Sequence, residues 1–189
     1  MGSVVCYRGR AMLIAFNKPY GVICQFSPSE GKPTLKEYID IPAVYPAGRL
    51  DTDSEGLLLL TDEGSLQARI ADPRHKLAKT YWAEVEGAPV DTDLVLLREG
   101  VDLGDFVTQP AEARIMPTPP TLWPRVPPVR FRRHIPTSWI EIILREGKNR
   151  QVRRMTAKVG FPTLRLIRTA IGPWQLDGLN PGEWRILTP

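Results

Sequence analysis

The chain has 189 residues, 42% hydrophobic and 24% charged, a balance that suits a globular fold and excludes a disordered or fibrous one. Its formal charge is only +4, yet the basic residues are clustered, so a polyanionic partner is indicated by where the charge lies and not by its sum. No apolar run reaches the roughly 18 residues of a membrane span, and the first ten residues lack a signal-peptide core, so the chain is expected to be cytoplasmic with no membrane partner. Cys6 and Cys24 have neither zinc-site spacing nor the number of a disulfide framework.

Residues 1–10 read as a loose N-terminal segment. Residues 12–16, MLIAF, predict a first buried strand ended by Asn17, Lys18 and Pro19. Thr34 is placed to cap a short helix reaching Tyr38, and Pro42 and Pro46 keep the following chain extended. The apolar run from Gly56 to Thr61 predicts a strand buried on both faces, and residues 65–71 a helix with Leu66 and Ile70 on one side. Residues 79–86, KTYWAEVE, alternate as a strand. Residues 91–100 form a helix with acids at its start and Arg98 near its end, and residues 107–115 form a strand.

Residues 116–137 hold seven prolines, so they make a long loop. A loop that also carries Arg125, Arg130, Arg132, Arg133, Trp123 and Phe131 is a binding element more often than filler. Strands over 139–144, 164–171 and 183–187 and a basic helix over 148–159 complete the pattern. Without steady βαβ alternation, this is an α+β chain with a mixed, largely antiparallel sheet flanked by helices.

The stretch from Pro46 to Gly64 needs a chemical explanation, because Asp51, Asp53 and Glu55 stand between Arg49 and an apolar strand. A calcium loop fits the alternating acids, but proline and glycine precede it where a helix is required, and Leu59 falls at a ligand position. A decorated turn with surface ion pairs suits Asp53 and Glu55. Alternatively, Asp51 is a nucleophile, held ionised by a nearby arginine and attacking an electrophilic carbon. His75 and His134 are too scattered for a triad or a metal site, and no metal is expected.

Residues 48–51, GRLD, followed by SEGLLLLT at 54–61, resemble the catalytic motif of RNA pseudouridine synthases in the branch acting on ribosomal RNA. NKPYG at 17–21, KTY at 79–81 and EGKNRQVRRM at 146–155 are similar to the family's other motifs and follow in its order. The likeness spans residues 11–188 and implies a pseudouridine-synthase-like catalytic domain over 11–189, with two lobes around a central cleft. No separate N-terminal RNA-binding domain is expected. It implies isomerisation of uridine to pseudouridine without a cofactor, in 23S ribosomal RNA, by a monomer.

By the same resemblance Asp51 is the nucleophile, Tyr81 stacks on the base and Arg153 pairs with the catalytic carboxylate, although Arg150 is an alternative for that pairing. Flipping the uridine out of its helix is a further requirement, and Arg49 is placed to fill the vacated space. Lys18, Lys79, Arg125, Arg130, Arg132, Arg133, Lys148, Arg150 and Arg154 are the expected RNA contacts. The rivals are a non-catalytic RNA-binding protein, which needs the basic surface but no ionised Asp51, and a calcium-binding module.

Overall fold

The computed structural model describes residues 11–75, 77–130 and 133–187. Arg132 and Phe131 lie outside the described residues. The strands are β1 (Leu13–Lys18), β2 (Tyr45–Pro46), β3 (Glu55–Thr61), β4 (Lys79–Glu86), β5 (Glu112–Met116), β6 (Thr137–Leu144), β7 (Thr163–Ile171), β8 (Trp174–Gln175) and β9 (Trp184–Leu187). The α-helices are α1 (Gly64–Ala71), α2 (Val95–Glu99) and α3 (Gln151–Lys158), with short 3-10 turns at Leu35–Glu37, Pro73–His75 and Asp91–Leu94. Among the described residues no helix is long and apolar enough to cross a membrane.

One mixed sheet runs β5-β6-β4-β7-β3-β1-β9, with β2 on β3 and β8 on β7. Every pairing is antiparallel except β3 with β7, where only Glu55 against Ile167 and Gly56 against Arg168 align. That short parallel joint connects two antiparallel halves, and Arg168 at the joint lines a cleft. Gly56 is what permits the joint. A Cβ at this position would lie 2.3 Å from the Arg168 carbonyl oxygen, and its φ is +103°, so a side chain is excluded by both space and backbone conformation.

All seven residues of β3 are buried, because its two faces serve different cores. Leu57 and Leu59 pack with Leu13, Ala15 and Ile167 on one side, and Leu58 and Leu60 with Ile14, Phe16 and Leu35 on the other. A third core holds Ala83, Val85, Ile140 and Ile142 against Leu94, Leu97, Val152 and Met155. An uninterrupted apolar run is what a strand sandwiched between layers requires. Burying a leucine contributes about 1.5–3 kcal/mol, so β3 is a firm base for the loop that precedes it.

Three expected elements are corrected. The strand placed at 107–115 begins only at Glu112. Pro110 has no N–H for a ladder, and Thr108 instead turns inward, its Oγ1 accepting from the Val101 N–H at 2.9 Å. The helix placed at 148–159 begins at Gln151 because Arg150 adopts a left-handed conformation with φ of 50°. The helix at 91–100 divides into a 3-10 turn and α2.

Candidate active site

The loop between β2 and β3 carries Asp51, and each of its carbonyls from Arg49 to Asp53 has a donor. Arg168 Nη1 donates to Arg49 O at 3.3 Å, and Cys24 Sγ to Leu50 O at 3.2 Å. The Ser54 N–H donates to Asp51 O at 3.0 Å, the Gly21 N–H to Thr52 O at 2.8 Å, and Arg153 Nη2 to Asp53 O at 2.7 Å. Irregular backbone saturated in this way has little freedom to re-aim the side chain it presents.

The Asp51 side chain is 37% exposed and opens into a cleft of about 1010 Å³, with Arg150 Nη1 3.7 Å from its carboxylate. Arg150 is held mainly by Asp53, through two bonds of 2.9 Å each. Burial works against the Asp53 carboxylate, but the Arg150 hydrogen bonds and the charges of Arg153 and Arg150 outweigh it and keep its pKa below the usual range. The left-handed backbone at Arg150 aims the guanidinium at both acids. Strain of this kind costs about 1–3 kcal/mol and gathers at functional sites.

Tyr81 and Lys79, both on β4, line the same cleft, as do Arg49, Lys148 and Arg168. Tyr81 is only 8% exposed and belongs to the third core, so its ring is fixed by packing while one part borders the cleft. Burial, followed by the charge of Arg168, lowers the Lys79 pKa. Arg49 and Lys148 are exposed, and the Lys148 ammonium lies 5.5 Å over the Phe106 ring. The site therefore offers the Asp51 carboxylate beside a second one, Asp53, that Arg150 holds, with one aromatic edge and several cations around a space large enough for a nucleotide.

Several expected roles are not supported by the geometry. Lys18 is fully buried and its Nζ donates to Pro19 O and Val22 O, each at 2.9 Å, and to Thr52 O at 3.4 Å, so it braces the loop from behind and cannot reach RNA. Burial, the dominant cause, pulls its pKa down to about 8 against the charges of Cys24, Glu55 and Asp53. Arg154 pairs with Asp105 and lies 5.3 Å over Phe106. Arg153 binds Asp53, with its Nε 3.5 Å from the carboxylate and its Nη2 on the carbonyl, and the nearest arginine to Asp51 is Arg150.

Arg125 is held by its own loop, its Nε bonding Pro127 O at 2.8 Å and its guanidinium lying 4.4 Å over Tyr20. Arg130 and Arg133 are exposed. Glu55, expected on a surface turn, is 2% exposed and forms a buried pair with Arg165 at 2.8 and 2.9 Å, so it is a structural anchor. Asp51 and Asp53 both border the cleft and face Arg150, whereas Glu55 is turned into the interior, and the described residues contain no group that could hold a metal ion. Arg165 and Arg168 were missed by the sequence reading, although two arginines inside an otherwise apolar strand must find buried partners.

A carboxylate fixed on a braced loop, beside an aromatic platform in a basic cleft at a sheet joint, defines a nucleotide-modifying site. The RNA pseudouridylate synthase family matches residues 12–158. A ribosomal large subunit pseudouridine synthase E from Xanthomonas campestris is 58% identical over 93% of this chain and 95% of its own. The synthase E of Vibrio parahaemolyticus is 53% identical over 92% of this chain and 72% of its own. A crystal structure of a pseudouridylate synthase superposes with a TM-score of 0.79 at 30% identity, covering 96% of this chain and 72% of that one. An archaeal box H/ACA sRNP Nop10-Cbf5 complex shares the fold, with a TM-score of 0.56 at 16% identity over 88% of this chain and 49% of that one. The chain belongs to the RNA pseudouridylate synthase family and is an RNA pseudouridine synthase.

Proposed function

We propose that the chain converts a uridine of 23S ribosomal RNA to pseudouridine, acting as a monomer in the cytoplasm, with Asp51 as nucleophile and residues 11–189 as one catalytic unit of two lobes. The observation that carries the reading is the Asp51 carboxylate, open to the cleft with a guanidinium 3.7 Å away, on a loop whose carbonyls from Arg49 to Asp53 are all bonded. The uridine leaves its stack to enter, which costs a few kcal/mol. Asp51 assists cleavage of the bond between the sugar C1′ and uracil N1, the base turns in the cleft, and C1′ rejoins at C5. The C5 proton is lost and N1 gains one, so atoms and electrons balance within the nucleoside.

In this reading Tyr81 stacks on the uracil, while Arg150 lies beside the Asp51 carboxylate and Arg153 positions the loop through Asp53. Arg49, Lys79, Lys148, Arg130 and Arg133 are the groups left to meet phosphate and sugar. The names of the relatives support the large ribosomal subunit as the source of the substrate. Mapping pseudouridines in rRNA from cells lacking the protein tests the proposal. The expected result is loss of modification at a 23S uridine, restored by the wild-type chain; an unchanged 23S pattern would overturn it.

A further inference from the structure

Val126 is 82% exposed, the most exposed large hydrophobic residue among those described, and with Pro127 it lines the rim of the cleft that holds Asp51. An exposed valine on a slack loop needs no explanation, but this segment is anchored through the residues just before it. Three residues before it, Trp123 Nε1 donates to the buried Glu55 carboxylate at 2.7 Å, and Trp123 O accepts from Arg165 Nη2 at 3.0 Å. Arg165 also lies 5.7 Å over the Trp123 ring. One residue before it, Arg125 donates to Leu164 O at 3.3 Å and to Pro128 O at 3.0 Å. Glu55 is the first residue of β3 and directly follows the Asp51 loop, so the rim segment and the carboxylate share one rigid support.

Resting on the proposed reaction, we propose that Val126 and Pro127 form an apolar wedge that packs against the base next to the flipped uridine, and that Trp123, Glu55 and Arg165 are positioning residues for that wedge. Extracting one base exposes the faces of its neighbours to water. An apolar surface held there restores part of the lost stacking, as inserted apolar side chains do in kinked duplexes. A wedge on a flexible loop would spend that gain on ordering itself. The Glu55 clamp removes this cost by fixing the segment before RNA arrives.

The test uses single-turnover pseudouridine formation on two fragments of the 23S transcript spanning the modified uridine, one with paired flanks and one with mismatched flanks. Val126→Ala, at an exposed position, is expected to slow the paired fragment about tenfold and to leave the mismatched one within about twofold. Val126→Leu restores the rate, and Trp123→Phe, which removes the donor to Glu55 together with part of the ring beneath Arg165, reproduces the selective slowing. If the wild-type chain turns over and Val126→Ala matches it on both fragments, or slows both equally, the wedge is overturned. Wild-type rates in Trp123→Phe beside a slow Val126→Ala would overturn the clamp. Failure of the wild-type chain on every 23S transcript would instead overturn the reaction assigned above.

Discussion

Two sets of arginines behave differently in this molecule. Arg153, Arg165 and Arg168, on α3 and β7, are largely buried and bonded to the Asp51 loop or to Glu55, whereas Arg130 and Arg133 on the rim loop are exposed. Both sets look alike as clustered positive charge in the sequence. Their burial separates cations that build the site from cations free to meet a polyanion. The first set trades solvation for fixed geometry, so losing one leaves an uncompensated acid or carbonyl, while the second keeps its hydration and acts through screened attraction.

The largest separation between the sets is expected in stability. Arg165→Ala leaves Glu55 buried with only the Trp123 donor, and removing one partner of a buried pair costs about 3–5 kcal/mol; Arg133→Ala stays within about 0.5 kcal/mol. Urea unfolding of the two variants measures this, and equal midpoints would erase the distinction. The converse appears in binding. Replacing Arg130 and Arg133 together by alanine is expected to weaken affinity for unmodified 23S transcript about tenfold at 0.1 M salt and to flatten the salt dependence by about 1.4 units of slope. Arg154→Ala, already paired with Asp105, leaves both unchanged.

A smaller effect concerns Lys18, the buried brace. Its pKa is depressed from 10.5 to about 8 in the fold, so between those values the unfolded chain holds the extra proton. Its contribution to stability therefore increases as pH rises from about 8 to 10.5 and is least below about 8. The melting temperature of the wild type should gain on that of Lys18→Met across this window. A constant difference between the two curves would show that Lys18 does not titrate differently on folding.

The strands were legible where period and length agreed, as in KTYWAEVE, which forms β4 over the expected residues. The Asp51 motif was legible because acids beside an apolar run lack a packing rationale. What the sequence could not supply was partnership across distance. Glu55 reads as a turn acid until Arg165, 110 residues later, is placed beside it. Arg150 reads as part of a helix face until its left-handed backbone turns it to Asp53. Lys18 was misread for the same reason, since only the folded loop shows that its ammonium is enclosed by carbonyls.

The central claim is that Asp51 alone among the three acids carries the chemistry, and Asp51→Asn tests it with little change in shape. The measurement is tritium release from C5-labelled uridine in unmodified 23S transcript, alongside transcript binding and melting temperature. The variant is expected to fold and bind RNA while turnover falls by at least about 10³-fold, a barrier increase near 4 kcal/mol. Turnover within about tenfold of wild type would contradict the account and remove Asp51 from the mechanism.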